Sequence, residues 1–191
     1  LFSIYYIFFL IAFYLNENSS GGALQDYIGY RNLIDLFIND FKGTLLTFDR
    51  YGERHSPVIL ILLTLFYKSG LNDELIRFIF FNFSVVSVFF FYKCLKIKLK
   101  NTLSNYLLLV SLILFLSPIF RSLSVWPDSR IFGFHFFIIS VYFYLKYFNE
   151  KKKIIFCYLN VLFLAISSYL SINFCLFGIF FFYKFSNDLY K

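Results

Sequence analysis

Of the 191 residues, 60% are hydrophobic and only 15% charged, where a soluble domain averages about 45–50% and about 25%. The 31 Phe and 16 Tyr gather in blocks rather than in a stripe of helical period, which excludes an ordinary soluble core and indicates membrane-spanning helices. The net charge of +7 does not signal nucleic acid. Ten of the eighteen basic residues (Lys93, Lys96, Lys98 and Lys100; Lys146, Lys151, Lys152 and Lys153; Lys184 and Lys191) follow apolar blocks, in the positive-inside pattern of a multi-pass chain.

The first apolar block, 1–15 ("LFSIYYIFFLIAFYL"), has no basic leader and no small-residue cleavage site. It reads as a truncated first span, since Leu stands at position 1 and Met is absent from the chain. Further apolar blocks cover 57–67, 78–92, 103–120, 131–148, 154–170 and 172–183. A spanning helix takes about 20 residues, so the eleven of 57–67 are too few. Flanking Tyr and snorkelling Lys extend the others towards the headgroups.

With all three lysine clusters cytoplasmic, parity places 16–77 and about 118–130 on the outer face. The chain 1–191 is then the first part of an all-α, multi-pass helix bundle in the cell membrane. If 57–67 crossed, the first span would have to run the other way. Cys94, Cys157 and Cys175 lie in or beside apolar blocks without metal-ligand spacing and read as small hydrophobes.

The first outer loop opens with "NENSSGGALQDYIGYR", a polar, glycine-punctuated stretch after fifteen apolar residues. After Gly21 and Gly22, the spacing of Tyr27, Tyr30, Leu33, Ile34, Phe37, Ile38 and Phe41 predicts one apolar helical face, which lies most simply in the membrane interface. Gly29 costs that helix about 1 kcal/mol relative to Ala. Asp26 falls in the first turn, where the helix dipole favours a carboxylate. It reads either as a helix-start residue or as a site residue beside glycines that let the backbone approach a ligand. "NSS" at 18–20 matches a glycosylation sequon close to the bilayer.

The second outer element is "LSPIFRSLSVWPDSRIFG", residues 116–133. Pro118 and Pro127 end helices or open turns, and Trp126 suits the interface. Arg121, Asp128 and Arg130 form either an ordinary loop with snorkelling arginines or a cationic site for a lipid phosphate, oriented by the carboxylate. Arg77, at the start of block 78–92, either joins that site or anchors the span. His135 is the lone imidazole inside a span and reads as a packed residue. Charges are missing from 1–15, 78–92 and 154–170, which disfavours an ion-coupled transporter.

In order, Asp26 in the first outer loop, "HSPVILILL" from His55, "ELIRF" around Arg77 and "LSPIFRSLSVWPDSR" resemble the GT-C class of membrane glycosyltransferases. These use polyprenyl- or dolichyl-phosphate sugars and include protein O-mannosyltransferases and aminoarabinose transferases. The likeness covers residues 1 to about 133. It departs from the pattern at Tyr27, where the mannosyltransferases carry a second acid, and at Ser56, where the His-Pro-Pro triplet has proline. The resemblance implies inverting sugar transfer from a lipid-linked donor at the outer face, with Asp26 as general base. It also implies that His55, Arg77, Arg121, Asp128 and Arg130 bind or orient donor and acceptor. Some members of the class use a divalent cation, and no ligand cluster here demands one. The competing reading is a non-catalytic or transport component of polysaccharide or lipid export.

Overall fold

The computed structural model describes residues 1–19, 22–53, 55–100 and 103–189, which are all-α, with no strand among them. The helices are α1 (Phe2–Tyr14), α2 (Ala23–Asn39), α3 (Phe41–Leu46), α4 (Val58–Lys68), α5 (Asp73–Phe83) and α6 (Val85–Lys98), followed by α7 (Ser104–Leu112), α8 (Pro118–Val125), α9 (Ser129–Asn149), α10 (Ile154–Leu170) and α11 (Phe177–Leu189). Ser20 of the sequon, Gly21 of the glycine pair and Lys191 of the last basic cluster lie outside the described residues. The chain divides into two units, Leu1–Ser84 with Phe115–Ile131, and Val85–Leu114 with Phe132–Lys191.

In the first unit, short polar side chains set the helix starts. Asn72 accepts from the Leu75 amide at 2.8 Å to begin α5, and Asp40 accepts from the Gly43 amide at 2.9 Å to begin α3. Ser117 accepts from Phe120 N, and Pro118 occupies the first position of α8, where its missing N–H costs nothing. The aromatic centre is Phe9, stacked on Phe81 at 3.9 Å and on Phe115 at 4.6 Å between ring centroids. All three rings are fully buried.

The apolar face expected on α2 forms, but it is used inside the protein. Tyr27, Tyr30, Ile34 and Phe37 are buried, and α2 packs against α4, whose Ile59, Leu60 and Leu63 are buried too. The physical reason lies in α4 itself. An apolar helix of 11 residues is too short to span, and it supplies a protein partner that removes the need for lipid beneath α2. Ile38 and Phe41, at the end of the predicted face, remain exposed.

The second unit is tied together by hydrogen bonds between helices. Asn160 Nδ2 donates to the Ser140 carbonyl at 2.9 Å and to Ser140 Oγ at 2.8 Å, and Ser167 Oγ donates to the Gly133 carbonyl at 2.7 Å. A β-carbon on Gly133 would lie 2.8 Å from Ser171 Cβ, so glycine permits the close approach of the chain after α10. Buried His135 pairs with Ser87 Oγ, in keeping with its reading as a packed residue. Tyr147, Leu164, Phe181 and Phe185 form the apolar cluster among α9, α10 and α11.

Among the described residues two helices are long and apolar enough to cross a membrane, Asp73–Lys98 with 26 residues and Ser129–Asn149 with 21. Ser104–Leu116 and Pro118–Val125 make a third if the pair, bent by 62°, is one span. The expected continuous block 103–120 is thus broken at Ser117-Pro118, where a capped proline start replaces the helix interior. Phe2–Tyr14, Val58–Lys68 and Ile154–Leu170 are shorter apolar helices of 13, 11 and 17 residues.

Candidate functional site

The start of α2 is built around Gly22, whose φ of 104° lies in the left-handed region that a side chain disfavours. The turn puts Asp26 N on the Gly22 carbonyl at 2.8 Å, and Asn18 Oδ1 accepts from the Leu24 amide at 3.3 Å. Asp26 thereby leaves the first turn with its carboxylate half-exposed.

That carboxylate meets a residue 104 positions away. Arg130 Nη2 donates to Asp26 Oδ2 at 2.6 Å. Asp128 holds the same guanidinium from behind. Its Oδ1 accepts from Arg130 N at 2.7 Å and from Nε at 2.9 Å, and its Oδ2 accepts from Nη2 at 2.7 Å. Asp128 is only 1% exposed, so these charge-assisted bonds offset the desolvation of a buried carboxylate. The two-residue spacing lets one oxygen bind both the backbone and the side chain of Arg130, which fixes the direction of the arginine.

In front of the Asp26–Arg130 pair lies a cavity of about 430 Å³. The α2 wall contributes Gln25, Asp26, Gly29 and Tyr30. The loop before α4 contributes Gly52, Glu53 and His55, and Arg130 closes it from α9. The His55 amide donates to Glu53 Oε1 at 3.3 Å, while His55 Nδ1 is buried with no hydrogen-bond partner among the described residues. Burial raises the Tyr30 phenol well above the ordinary tyrosine range, reinforced by the carboxylate of Asp128, so it stays a neutral hydroxyl. The lining therefore offers carboxylates, a guanidinium, an imidazole, an amide and a phenol at one opening.

Asp26, His55 and Arg130 come together here, with Asp128 directly behind. Arg77 and Arg121 do not line the cavity. Arg77 is 8% exposed and braces the chain, donating from Nε to the Val125 carbonyl at 3.1 Å and from Nη2 to Asn16 Oδ1 at 2.7 Å. Its guanidinium lies 3.7 Å from the centre of the Trp126 ring. Arg121 pairs with Glu17 at 3.0 Å, and Trp126 Nε1 donates to the Glu17 carbonyl at 3.0 Å. Both arginines thus pin the segment after α1 to α8 and the turn that follows it. Replacing Arg77 with Met is expected to cost about 1–3 kcal/mol, by stranding two acceptors and removing the cation over the ring. Thermal unfolding followed by emission from Trp126, the single tryptophan of the chain, checks this directly. Arg77→Lys should recover little, because an ammonium cannot reproduce the planar fork.

Glu53, Gly52, Tyr30, Gln25 and Gly29 carry no site signal in the sequence, where Gly29 figures only as a helix-weakening residue. Glu53 stands two residues before His55, but a lone glutamate in a polar loop carries no spacing signal. Tyr30 counted only as part of an apolar face. Away from the cavity lining, Asp73 gathers Tyr27, Tyr67 and Arg31 in one network, with Tyr27 Oη at 2.7 Å and Arg31 Nη1 at 3.2 Å, which ties α2 to α4 and α5. Among the described residues no three His, Cys, Asp or Glu side chains converge as a metal site.

No family model matches the chain, and neither a search of curated proteins nor one of solved structures finds a similar protein.

Proposed function

We propose that the protein is a membrane glycosyltransferase that moves a sugar from a polyprenyl-phosphate-linked donor to an acceptor hydroxyl at the outer face. The observation that carries this reading is the meeting of Asp26 and Arg130, far apart in sequence, at one polar cavity that also takes in His55. Two helices long and apolar enough to span support a membrane setting.

In the proposed step the acceptor oxygen attacks the anomeric carbon while Asp26 takes its proton. The bond from that carbon to the phosphate oxygen breaks, and its electron pair leaves with the lipid phosphate. Arg130 stabilises the charge that develops there. The Asp26–Arg130 ion pair is then the resting arrangement. An incoming phosphate competes for Nη2 and releases the Asp26 carboxylate to act as base. Asp128, bonded to Arg130 through three nitrogen–oxygen contacts, keeps the guanidinium aimed while its outer partner changes. His55, whose side chain lines the same cavity, would meet the acceptor or the sugar.

The direct test is to incubate the purified protein with a polyprenyl-phosphate hexose and a hydroxyl acceptor and follow release of polyprenyl phosphate. A chain that neither binds nor turns over such donors, and whose Asp26→Asn variant behaves as the parent in cells, sinks the enzyme reading in favour of a binding or export component. Sidedness has its own test. In a background with Cys94, Cys157 and Cys175 replaced, cysteines at exposed Asp49 and Lys98 should differ towards a membrane-impermeant reagent. Position 49 should label in intact cells and position 98 should not; the reverse pattern would place the cavity on the cytoplasmic side.

A further inference from the structure

Among the described glycines of the first unit, every one but Gly29 has a local reason. Gly22, Gly52 and Gly70 have positive φ, and a β-carbon on Gly43 would collide with the Asp40 carboxylate at 2.0 Å. Gly29 has neither reason. It sits inside α2, six residues past the start and ten before the end, with no left-handed φ, and a β-carbon there meets nothing within 4 Å. Glycine is the poorest helix former after proline, so this position gives up helix stability for no internal gain. Gly29 is exposed and is part of the α2 wall of the cavity, and helical spacing puts a side chain there between those of Gln25, one turn before, and Asp26, at the edge of that space.

We infer that Gly29 is a specificity-determining residue whose missing side chain leaves room for a polyhydroxylated ring resting on the bare backbone of α2. The chemistry of the surroundings selects that class. Gln25, Tyr30 and His55 can each donate and accept, and Asp26 and Glu53 accept, so a ring bearing several hydroxyls finds both kinds of partner in the lining. A purely apolar ligand would strand these groups. A phosphate alone would take Arg130 from Asp26 and make no use of Gln25, Tyr30 or the bare backbone at Gly29. The inference rests on the sugar-transfer reading and specifies it further: the transferred sugar occupies the space over Gly29, and a substituent added to α2 at that point competes with the sugar and not with the lipid phosphate.

The test compares two probes, polyprenyl phosphate and the same lipid phosphate carrying a hexose, by titration calorimetry on the detergent-solubilised protein and its Gly29→Ala and Gly29→Leu variants. Gly29→Ala should raise the melting temperature and keep both probes. Gly29→Leu should weaken the hexose-bearing lipid by about 10–100-fold, the cost of forcing bulk into an occupied space, and leave polyprenyl phosphate within a fewfold of the parent. Gly29→Gln, of similar bulk but polar, serves if the leucine variant misfolds. Equal binding of the hexose-bearing lipid by parent and bulky variant overturns the role of Gly29 and leaves the transfer reading standing. Loss of both probes from a folded bulky variant also overturns it, because the obstruction would then reach the phosphate. If the parent protein binds neither probe, the transfer reading fails and takes the sugar assignment with it.

Discussion

Asp26→Asn is expected to leave the protein folded and inserted while sugar transfer falls by about 10² to 10⁴, the usual contribution of a positioned base. The amide matches the carboxylate in shape, and the side chain is half-exposed, so no buried group is orphaned. What changes is chemical. Asparagine cannot take the acceptor's proton, and its carbonyl gives Arg130 Nη2 a neutral acceptor in place of an ion pair. Arg130→Ala should differ in kind, weakening use of the lipid-phosphate donor, because it removes the group that meets the phosphate. Asp35→Asn, on the exposed side of the same helix, is the matched control and should be nearly silent. Steady-state kinetics on the three variants separate the roles. Equal activity of the Asp26 and Asp35 variants would reduce the start of α2 to a structural element and the Asp26–Arg130 pair to a clasp between α2 and α9.

The parts of this arrangement that could be read from the sequence are those with a period or a cap behind them. The apolar stripe of α2 and its start after a glycine follow from side-chain spacing and backbone freedom, and both occur. Asp26 follows the glycine pair, and Asp128 and Arg130 follow Pro127, in a chain short of charge, whereas His55 is a site residue only through the resemblance to the GT-C class. What spacing could not show was the partner of each face. The stripe of α2 fits a membrane interface and a neighbouring helix equally well, and only the fold shows that α4 covers it. The arginines illustrate the same limit. Arg77, Arg121 and Arg130 are alike as residue types in or beside apolar blocks, yet Trp126, Asn16 and Glu17 engage the first two, while of the three only Arg130 reaches the cavity. Long-range pairing across 48 to 104 positions leaves no trace in a single sequence. The break at Ser117-Pro118 was visible as a proline, but the eight-residue helix after it was not, because a short amphipathic segment beside a span has too few turns to show its period.

Asp128→Asn is expected to destabilise the protein by about 1–3 kcal/mol and to impair donor use together with it. Asp128 is almost fully buried and accepts from the backbone and from two side-chain nitrogens of Arg130. An asparagine keeps one acceptor oxygen, so it can hold either the amide or the guanidinium well, and its NH₂ group then faces the N–H bonds of Arg130. The guanidinium, released from behind, has Asp26 as its remaining carboxylate partner. It would close on Asp26 more firmly, so the variant should lose activity through an occupied base as well as a misdirected cation. A double-mutant cycle isolates this coupling. Arg130→Ala removes the group that Asp128 serves, so the double variant should be destabilised by clearly less than the sum of the two single variants. Chemical denaturation of the four proteins in detergent measures the cycle, with Trp126 as reporter. Additive losses would mean that Asp128 is held for its own local turn, and that Arg130 is directed by Asp26 alone.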